Sequence, residues 1–453
     1  MSTPAEPIDT NALLDIAAGL VKRATRLGAE AAEASVVQSR STEVAVRDGH
    51  LEAVEGSESR DAGLRVFFGK RQAGVSFSDL SEDGMSQAVE RAIAMAKAAP
   101  EDKWAGLVDE ARLATEFPDI ALYEHPSWSS EEMADIARGV EAAARSVEGV
   151  SMTETAFASN GETASASVAT NGVSHTARRS SHGYGVSVIA ARDGVMERDY
   201  SMTSARRLAD LRAHDEIGVE AGQRTIARLG AKQMASGIRP VLFDRRVSAR
   251  FLGALEGAIA GPAIARGVSF LRDKLGEQVF GEHINVIDDP HRDWGLGSRP
   301  VDGEGVANAK QHIIENGVLT TWLLNSPSAR QLGLDVNGYA TRSLGGSPGV
   351  STTNLHVEPG SRSREAIIAD IQDGLLITEM FSPSLNANTG DWSVGCSGFA
   401  IRSGTIAEPV SEITVAGNLL DIFKRLEPAD DLKFWSSVNS PSLLVDGLSI
   451  GGA

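Results

Sequence analysis

Cysteine is nearly absent from this chain of 453 residues, since Cys396 is the only one. A single cysteine excludes an intramolecular disulfide and also excludes a metal cage built from thiolates. Such a composition is typical of a reducing compartment. No positively charged segment leads into an apolar run near the N-terminus, so no signal peptide is expected. We therefore expect a cytoplasmic protein.

Aromatic and basic residues are also scarce. Aromatic residues make up 5% of the chain, and 43 Lys and Arg face 61 Asp and Glu, which gives a net charge of −18. Nucleic-acid binding needs clusters of Lys and Arg, whereas the basic runs here are pairs such as Arg178-Arg179 and Arg245-Arg246. The composition therefore disfavours direct binding to nucleic acid. The longest nearly apolar stretch, Phe251 to Ile264, is too short to span a membrane.

The order of helix and strand patterns predicts an α+β protein with three domains. Residues 1–110 read as a helix, a sheet and a helix, which together predict an N-terminal α+β domain. Residues 120–232 predict an antiparallel meander with flanking helices. Residues 236–453 predict a C-terminal, mostly-β and barrel-like domain that begins with a strand and a helix. No repeat is apparent in the sequence.

Caps and turns give the most local detail. Asp9 precedes an amphipathic helix, and Ser129 with Glu132 forms the pattern of a capping box. Dipeptides of Asn or Asp followed by Gly are strong signals for the tight turn of a β-hairpin. Four of them lie at strand-like segments before residue 232: Asp48-Gly49, Asn160-Gly161, Asn171-Gly172 and Asp193-Gly194.

Motifs for nucleophilic or metal chemistry are weak. Gly447–Gly451 fits G-x-S-x-G, but no room follows for the helix of a nucleophile elbow, so a terminal strand is expected. Cys396 has no adjacent histidine and reads as a small buried residue. The loop with Asp288, Asp289, His291 and Asp293 could hold a hard cation or be an ordinary turn.

Two further acidic loops leave the same choice open. Asp302-Gly303-Glu304-Gly305 and Thr389-Gly390-Asp391 could line a polar cleft or simply form turns. None of the nine histidines forms an H-E-x-x-H motif. Residue patterns alone therefore identify no active site.

A family resemblance adds to this interpretation. Several motifs stand in the order that one family shows: Asp288-Asp289-Pro290, Gly297-Ser298-Arg299-Pro300, Asp302-Gly303-Glu304-Gly305, Thr352-Thr353-Asn354-Leu355, Thr389-Gly390-Asp391, Pro409 to Asn418 and Ser440 to Gly447. Upstream, Ala62 to Val66 and Gly74 to Phe77 match an N-terminal hairpin of that family. Over nearly its whole length the chain resembles the TldD/PmbA metallopeptidases.

The resemblance also implies what this chain lacks. In the TldD branch, an H-E-x-x-x-H helix supplies two zinc-binding histidines and a catalytic glutamate, and a C-terminal cysteine adds a ligand. Here Leu252, Gly253 and Gly257 stand at the positions of the first histidine, the glutamate and the second histidine. The cysteine region aligns near Phe434–Val438, which contains no cysteine. All ligands are missing together, which resembles the PmbA (TldE) branch.

The resemblance implies a non-catalytic subunit of a peptidase whose zinc lies in a TldD-type partner. We expect no cofactor and no metal in this chain, and a heterodimer that encloses a chamber for small or unfolded peptides. Candidates to line the chamber are Arg299, Asp302, Glu304, Asn354 and Asp391. Glu256, within the helix that has lost its ligands, is expected to be a solvated or paired carboxylate.

Two other hypotheses remain open. The chain could be a homodimeric peptide-binding or chaperone-like module without peptidase activity, or an independent hydrolase that uses the loop of Asp288 and His291. The hydrolase predicts about one metal ion per chain. The family resemblance also brings in modulation of DNA gyrase and maturation of peptide antibiotics, and the acidic charge makes any effect on gyrase indirect.

Overall fold

The computed structural model describes residues 6–452, and its N-terminal half repeats one topology twice. The first unit consists of α1 (Thr10–Arg26), β1 (Ala31–Arg47), β2 (His50–Phe68), β3 (Arg71–Phe77) and α2 (Glu82–Ala98). The second unit consists of α3 (Ser130–Arg145), β4 (Val150–Ala169), β5 (Ser174–Arg192), β6 (Val195–Ala205) and α4 (His214–Ala227). The sequence did not reveal this repeat, which is one of topology.

The two units share one six-stranded sheet with the order β3-β2-β1-β4-β5-β6. The central strands β1 and β4 are antiparallel and pair along 14 residues without interruption. The two units are therefore related by an approximate two-fold axis between these strands. The predicted boundary near residues 110–120 falls in the connection between the units, and the sheet continues across it.

Local signals account for the ends of these elements. The Asp9 side chain accepts hydrogen bonds from the first backbone N–H groups of α1, and Ser129 and Glu132 form the predicted capping box. Asp48-Gly49 and Asp193-Gly194 have positive φ at both residues, as a type I′ turn requires. Together with the turn at Asn171-Gly172, these predictions are confirmed.

The predicted turn at Asn160-Gly161 is wrong, because both residues lie inside β4. Neither residue has a positive φ, and Gly161 pairs with Ser41 on β1 and with Ser181 on β5. A Cβ at Gly161 would lie 2.9 Å from the carbonyl oxygen of Arg40. The glycine thus allows close packing between central strands.

The four α-helices of the two units cover the same face of the sheet in two pairs. The α1/α2 pair buries one apolar cluster, which includes Leu20, Val36 and Ala166, and the α3/α4 pair buries a second cluster. Polar side chains lie between the clusters on the same face: Gln38, Arg40, Asn160, Glu162, Ser180 and His182. Part of this strip borders a cavity of about 500 Å³.

The C-terminal half contains the remaining elements. Its strands are β7 (Gly237–Phe243), β8 (Val286–Asp288), β9 (Gln311–Glu315), β10 (Val318–Leu319), β11 (Ala340–Thr341), β12 (Gly349–Val350), β13 (Leu355–Val357), β14 (Asp373–Leu385), β15 (Asp391–Arg402), β16 (Thr405–Asn418), β17 (Leu426–Pro428), β18 (Val438–Asn439) and β19 (Leu443–Gly451). Its helices are α5 (Arg245–Ala258), α6 (Gly261–Ala265), α7 (Ser326–Leu332), α8 (Arg364–Asp370) and α9 (Leu419–Arg425).

Five of these strands close into a barrel in the order β16-β15-β14-β7-β19, with β19 pairing back to β16. The prediction of an α+β protein with a barrel-like C-terminal region is confirmed. A second small sheet has the order β10-β9-β8-β13-β18. The barrel and this sheet share one large apolar core, and α5 packs into it. Within residues 6–452, no helix is both long enough and apolar enough to cross a membrane.

The sheet and the C-terminal half meet at a seam formed by residues 342–346. Glu33 on β1 bonds to Arg65 on β2 and to Arg342 of the seam. Gly63 and Gly74 lie directly against the backbone of Gly345. The seam therefore joins the face of the sheet opposite the helices to the C-terminal half.

Candidate functional site

Helix α5 holds the three positions where the family resemblance places lost metal-site residues. The helix follows barrel strand β7, and the Asp244 side chain caps its N-terminus. Leu252 is only 2% exposed and packs in the barrel core. Gly253 and Gly257 lie on the exposed side, where an added Cβ would meet no atom within 4 Å. Neither hydrocarbon nor bare backbone can supply a zinc ligand here, so these residues do not fit the metal.

Two carboxylates at the inner side of α5 are bound by two adjacent threonines. Glu256 lies on α5 and is half-buried, and Asp288 is buried. Glu256 accepts hydrogen bonds from the backbone N–H of Thr352 at 2.7 Å and from its hydroxyl at 2.9 Å. Asp288, at the end of β8, accepts the same pair from Thr353 at 2.7 and 2.9 Å. Arg299 donates to the carbonyl of Ser351 at 2.9 Å. The expectation that Glu256 is a paired or solvated carboxylate agrees with this geometry.

Asn354 completes this polar cluster by joining the loops around it. Its amide nitrogen donates to the carbonyl of Asp289 at 2.6 Å and to the Ser298 hydroxyl at 2.7 Å. Its oxygen accepts from the N–H of Gly297 at 3.0 Å. Three of the matched sequence motifs therefore meet at one point in the fold.

The remaining acidic candidates for chamber lining lie in two places. Asp302 is buried and accepts from the N–H groups of Glu304, Val306 and Ala340. Burial raises the pKa of Asp302 to about 6. Glu304 is also buried, and it binds the backbone N–H and the hydroxyl of Ser326 at the start of α7.

Asp391 is separate and exposed. It accepts hydrogen bonds from Thr389 and from Asn418 at the end of the barrel, and these bonds lower its pKa. Arg299 and Asn354 thus belong to the cluster behind α5, Asp302 and Glu304 organise loops of the interior, and Asp391 closes a surface loop. Their role in lining a chamber stays a prediction.

The sequence missed what Thr352 and Thr353 do, although both lie in a matched motif. Their hydroxyls point to different carboxylates because successive residues of an extended segment face opposite sides. The pattern of two threonines next to each other was visible, but their acceptors lie 65 and 96 residues away in the chain. Only the fold could pair them.

The side chains of the candidate metal loop have separate partners. Asp289 accepts from the backbone N–H of His291 at 3.2 Å, and His291 Nε2 lies 2.8 Å from Asn308 Oδ1. Asp293 accepts from the N–H of Ala121 at 3.0 Å. In the part of the chain that the structure describes, no three His, Cys, Asp or Glu side chains are grouped to hold a metal ion.

The two candidate nucleophiles lie in barrel strands. Burial raises the pKa of the Cys396 thiol to about 12, so the thiol is protonated at neutral pH. Ser449 lies in β19, which agrees with the expected terminal strand. Neither position resembles an activated nucleophile.

The polar cluster makes stability depend on pH in a defined direction. Burial raises the pKa of Asp288 to about 6, and its hydrogen bonds from Thr353 only partly oppose this. A raised pKa stabilises the folded state below the unfolded pKa of about 3.9, and this contribution is lost as the pH rises towards 6. We expect Asp288→Asn to remove a loss of about 2 kcal/mol between pH 4 and 6.5, measured by urea unfolding across that range.

The matched control is Asp391→Asn. Hydrogen bonds to Thr389 and Asn418 lower the pKa of Asp391, so its contribution is present above the unfolded pKa and is lost as the pH falls. The two variants should therefore change the pH dependence in opposite directions. Identical pH profiles for Asp288→Asn and the unmodified chain would contradict the assignment of a raised pKa.

Comparisons with known proteins match this chain along nearly its whole length. Models of the PmbA/TldA metallopeptidases match residues 32–96 as domain 1, 123–229 as the central domain and 236–452 as the C-terminal domain. The metalloprotease PmbA of Escherichia coli O157:H7 is 32% identical over 425 residues, which cover 93% of this chain and 92% of that protein. The PmbA homologue of Haemophilus influenzae is 32% identical over 440 residues, or 95% and 94% of the two chains.

Solved structures share the fold. A proposed modulator of DNA gyrase from Bacteroides thetaiotaomicron superposes with a TM-score of 0.90 at 24% identity, covering 98% of this chain and 100% of that one. TldE from Thermococcus kodakarensis gives a TM-score of 0.85 at 18% identity, with coverage of 96% and 100%. By the extent of its identity to the PmbA proteins, this chain belongs to the PmbA (TldE) branch of the PmbA/TldD metallopeptidase family.

Proposed function

We propose that this chain is the non-catalytic subunit of a two-subunit zinc peptidase. In this role it would enclose a chamber and support the cleavage of small or unfolded peptides by a TldD-type partner that holds the zinc. One observation carries the proposal: α5 offers a core leucine and two bare glycines at Leu252, Gly253 and Gly257. The two carboxylates of the cluster are bound by the protein's own groups, Glu256 by Thr352 and Asp288 by Thr353.

The relatives' names raise the main competing interpretation. The Escherichia coli and Haemophilus influenzae relatives are named metalloproteases, which describes either a subunit of a metalloprotease or a chain active by itself. Zinc peptidases need three protein ligands and an activated water. No such group exists within residues 6–452, which supports the first interpretation.

A second candidate function is a homodimeric peptide-binding module without peptidase activity. Edge strand β6 supports it, because Met196, Tyr200 and Met202 are exposed on the face opposite the helices. Exposed apolar side chains on a sheet edge favour binding to another chain. This function predicts peptide binding without any cleavage, whichever partner is added.

The test is hydrolysis of an unstructured peptide library by this chain alone, by an H-E-x-x-x-H partner alone and by the mixture. We expect cleavage in the mixture only, and we expect a chelator to abolish it. The matched control is a partner in which the glutamate of that motif is replaced with glutamine, because it keeps the assembly but removes the catalytic base. Cleavage in that control, or by this chain alone, would overturn the proposal.

A further inference from the structure

Half-buried arginines and two exposed aromatic side chains form a group beside the N-terminal end of α5. It consists of Arg245, Arg292, Phe434 and Trp435, with Arg212 on its far side, and is called the cation–aromatic patch below. Phe434 and Trp435 are 42% and 41% exposed. The patch joins four parts of the fold: the segment before α4, the start of α5, the loop after β8 and the loop before β18.

The guanidinium groups stack on the two rings. Arg212 and Arg245 lie 4.5 and 4.6 Å from the centroid of the Trp435 ring. Arg292 lies 3.7 Å from the centroid of the Phe434 ring, and His356 meets the same ring nearly edge-on at 5.0 Å. A guanidinium that stacks with its flat face on a ring keeps its N–H groups free at its rim.

The loop that carries the rings is held from within. The Asn439 side chain accepts hydrogen bonds from the backbone N–H groups of Trp435 and Ser436, each at 3.0 Å. It also donates to the carbonyl of Ser436 at 2.7 Å. The exposed rings therefore have a fixed position before any ligand arrives, which lowers the entropy lost on binding.

The charges of the patch are not balanced. Arg212 forms ion pairs with Glu216 and Glu220. Within residues 6–452, by contrast, no carboxylate lies within 4.0 Å of the guanidinium of Arg245 or Arg292. Nearby acids are engaged elsewhere, since Asp293 binds Ala121 and Asp431 binds Ser442.

Among the residues that the structure describes, Arg245 and Arg292 lack a carboxylate partner although the chain is acidic. Its net charge is −18, so acidic partners are abundant, yet these two arginines stay on exposed rings without one. Guanidinium groups recognise carboxylates through paired, charge-assisted hydrogen bonds. The exposed rings beside them can contact apolar side chains or the peptide planes of the same ligand.

We propose that the cation–aromatic patch binds carboxylate groups of peptides and so selects acidic peptides. The inference rests on the proposed function, because it assigns a substrate class to the same peptide-handling subunit. Arg245 and Arg292 bind the carboxylates, and Trp435 and Phe434 hold the two guanidinium groups apart and contact the rest of the chain.

The test is fluorescence anisotropy with this chain alone and three labelled peptides of equal length. One peptide is rich in Glu, the second carries Gln at the same positions, and the third is the Gln peptide with an amidated C-terminus. We expect the Glu peptide to bind at least roughly tenfold more tightly than the Gln peptide, and this difference to shrink with salt. Weaker binding of the amidated peptide would assign the C-terminal carboxylate a share, whereas equal binding would assign the selection to side chains.

Variants connect the effect to the patch. Arg245→Gln with Arg292→Gln should lower affinity for the Glu peptide at least roughly tenfold, and Trp435→Leu should lower it less. Arg91→Gln, on an exposed site of α2, should leave it unchanged. Equal affinity for the Glu and Gln peptides, or full affinity in the double variant, would overturn the proposal.

The mixture with the TldD-type partner separates this inference from the proposed function. If the inference holds, the double variant raises the KM for the Glu peptide and leaves cleavage of the Gln peptide intact. If the mixture of the two unmodified chains cleaves neither peptide, the proposed function is overturned. The peptide-binding measurement on this chain alone still tests the inference independently. Equal KM changes for both peptides would overturn the selectivity.

Discussion

Gly74→Ala is expected to destabilise the protein by about 3 kcal/mol or more, because the new methyl group would occupy the position of a backbone oxygen. An added Cβ at Gly74 would overlap the carbonyl of Gly345 in the seam. Gly345 cannot move away easily, since its φ is +69° and its own backbone lies against Val75. Two backbones in contact have no flexible side chain that could turn aside.

Urea unfolding measures this effect, and Gly56→Ala is the matched control. Gly56 lies in β2 and has no atom within 4 Å of an added Cβ, so its replacement should change stability by less than about 1 kcal/mol. Limited proteolysis gives a second measurement, because an opened seam should expose residues 342–346 to cleavage. Equal stability of the two alanine variants would contradict the close approach.

Arg342→Met is expected to cost roughly 3 kcal/mol, because it removes one of two partners from a buried charge. Burial raises the pKa of Glu33, but Arg342 and Arg65 outweigh it and hold the pKa below its usual range. Arg342 lies 2.7 Å from Glu33 Oε2 and donates to the carbonyl of Gly303 at 2.7 Å. Without Arg342, the carboxylate is half-compensated in a buried site.

A double-mutant cycle separates the loss of the ion pair from the loss of packing. Glu33→Gln combined with Arg342→Met should lose less stability than the sum of the two single variants, because each single variant already breaks the same ion pair. Additive effects in the cycle would contradict the coupling.

The lowered pKa of Glu33 also predicts how stability depends on pH. The carboxylate stabilises the fold above its unfolded pKa of about 4.3, and this stabilisation is lost as the pH falls. Arg342→Met should reduce that loss.

Both of these variants test the seam, and the seam matters for the proposed function. Glu33, Gly63 and Gly74 belong to the N-terminal sheet, whereas Arg342 and Gly345 belong to the C-terminal half. A subunit that closes a chamber must keep its two halves in a fixed arrangement. Variants at the seam should therefore lower cleavage by the mixture even though α5 is unchanged.

Much of the local structure could be predicted from the sequence. Asp9, Ser129 and Glu132 act on backbone groups within three residues of themselves, so the patterns are complete in the local sequence. The turns at Asp48-Gly49 and Asp193-Gly194 depend only on a backbone conformation that these residues adopt readily. Asn160-Gly161 carries the same signal, but pairing with strands on both sides overrides it.

The sequence by itself determined the family, the helix caps, most of the turns and the lack of metal-binding side chains at Leu252, Gly253 and Gly257. These features depend on residue identity or on neighbours a few positions away. Only the tertiary structure decided that one sheet joins the two N-terminal units, that Glu256 and Asp288 meet adjacent threonines, and that Arg212 and Arg245 enclose Trp435. Those contacts join residues far apart in the chain, and their partners are chosen by how the core packs, which no local pattern records.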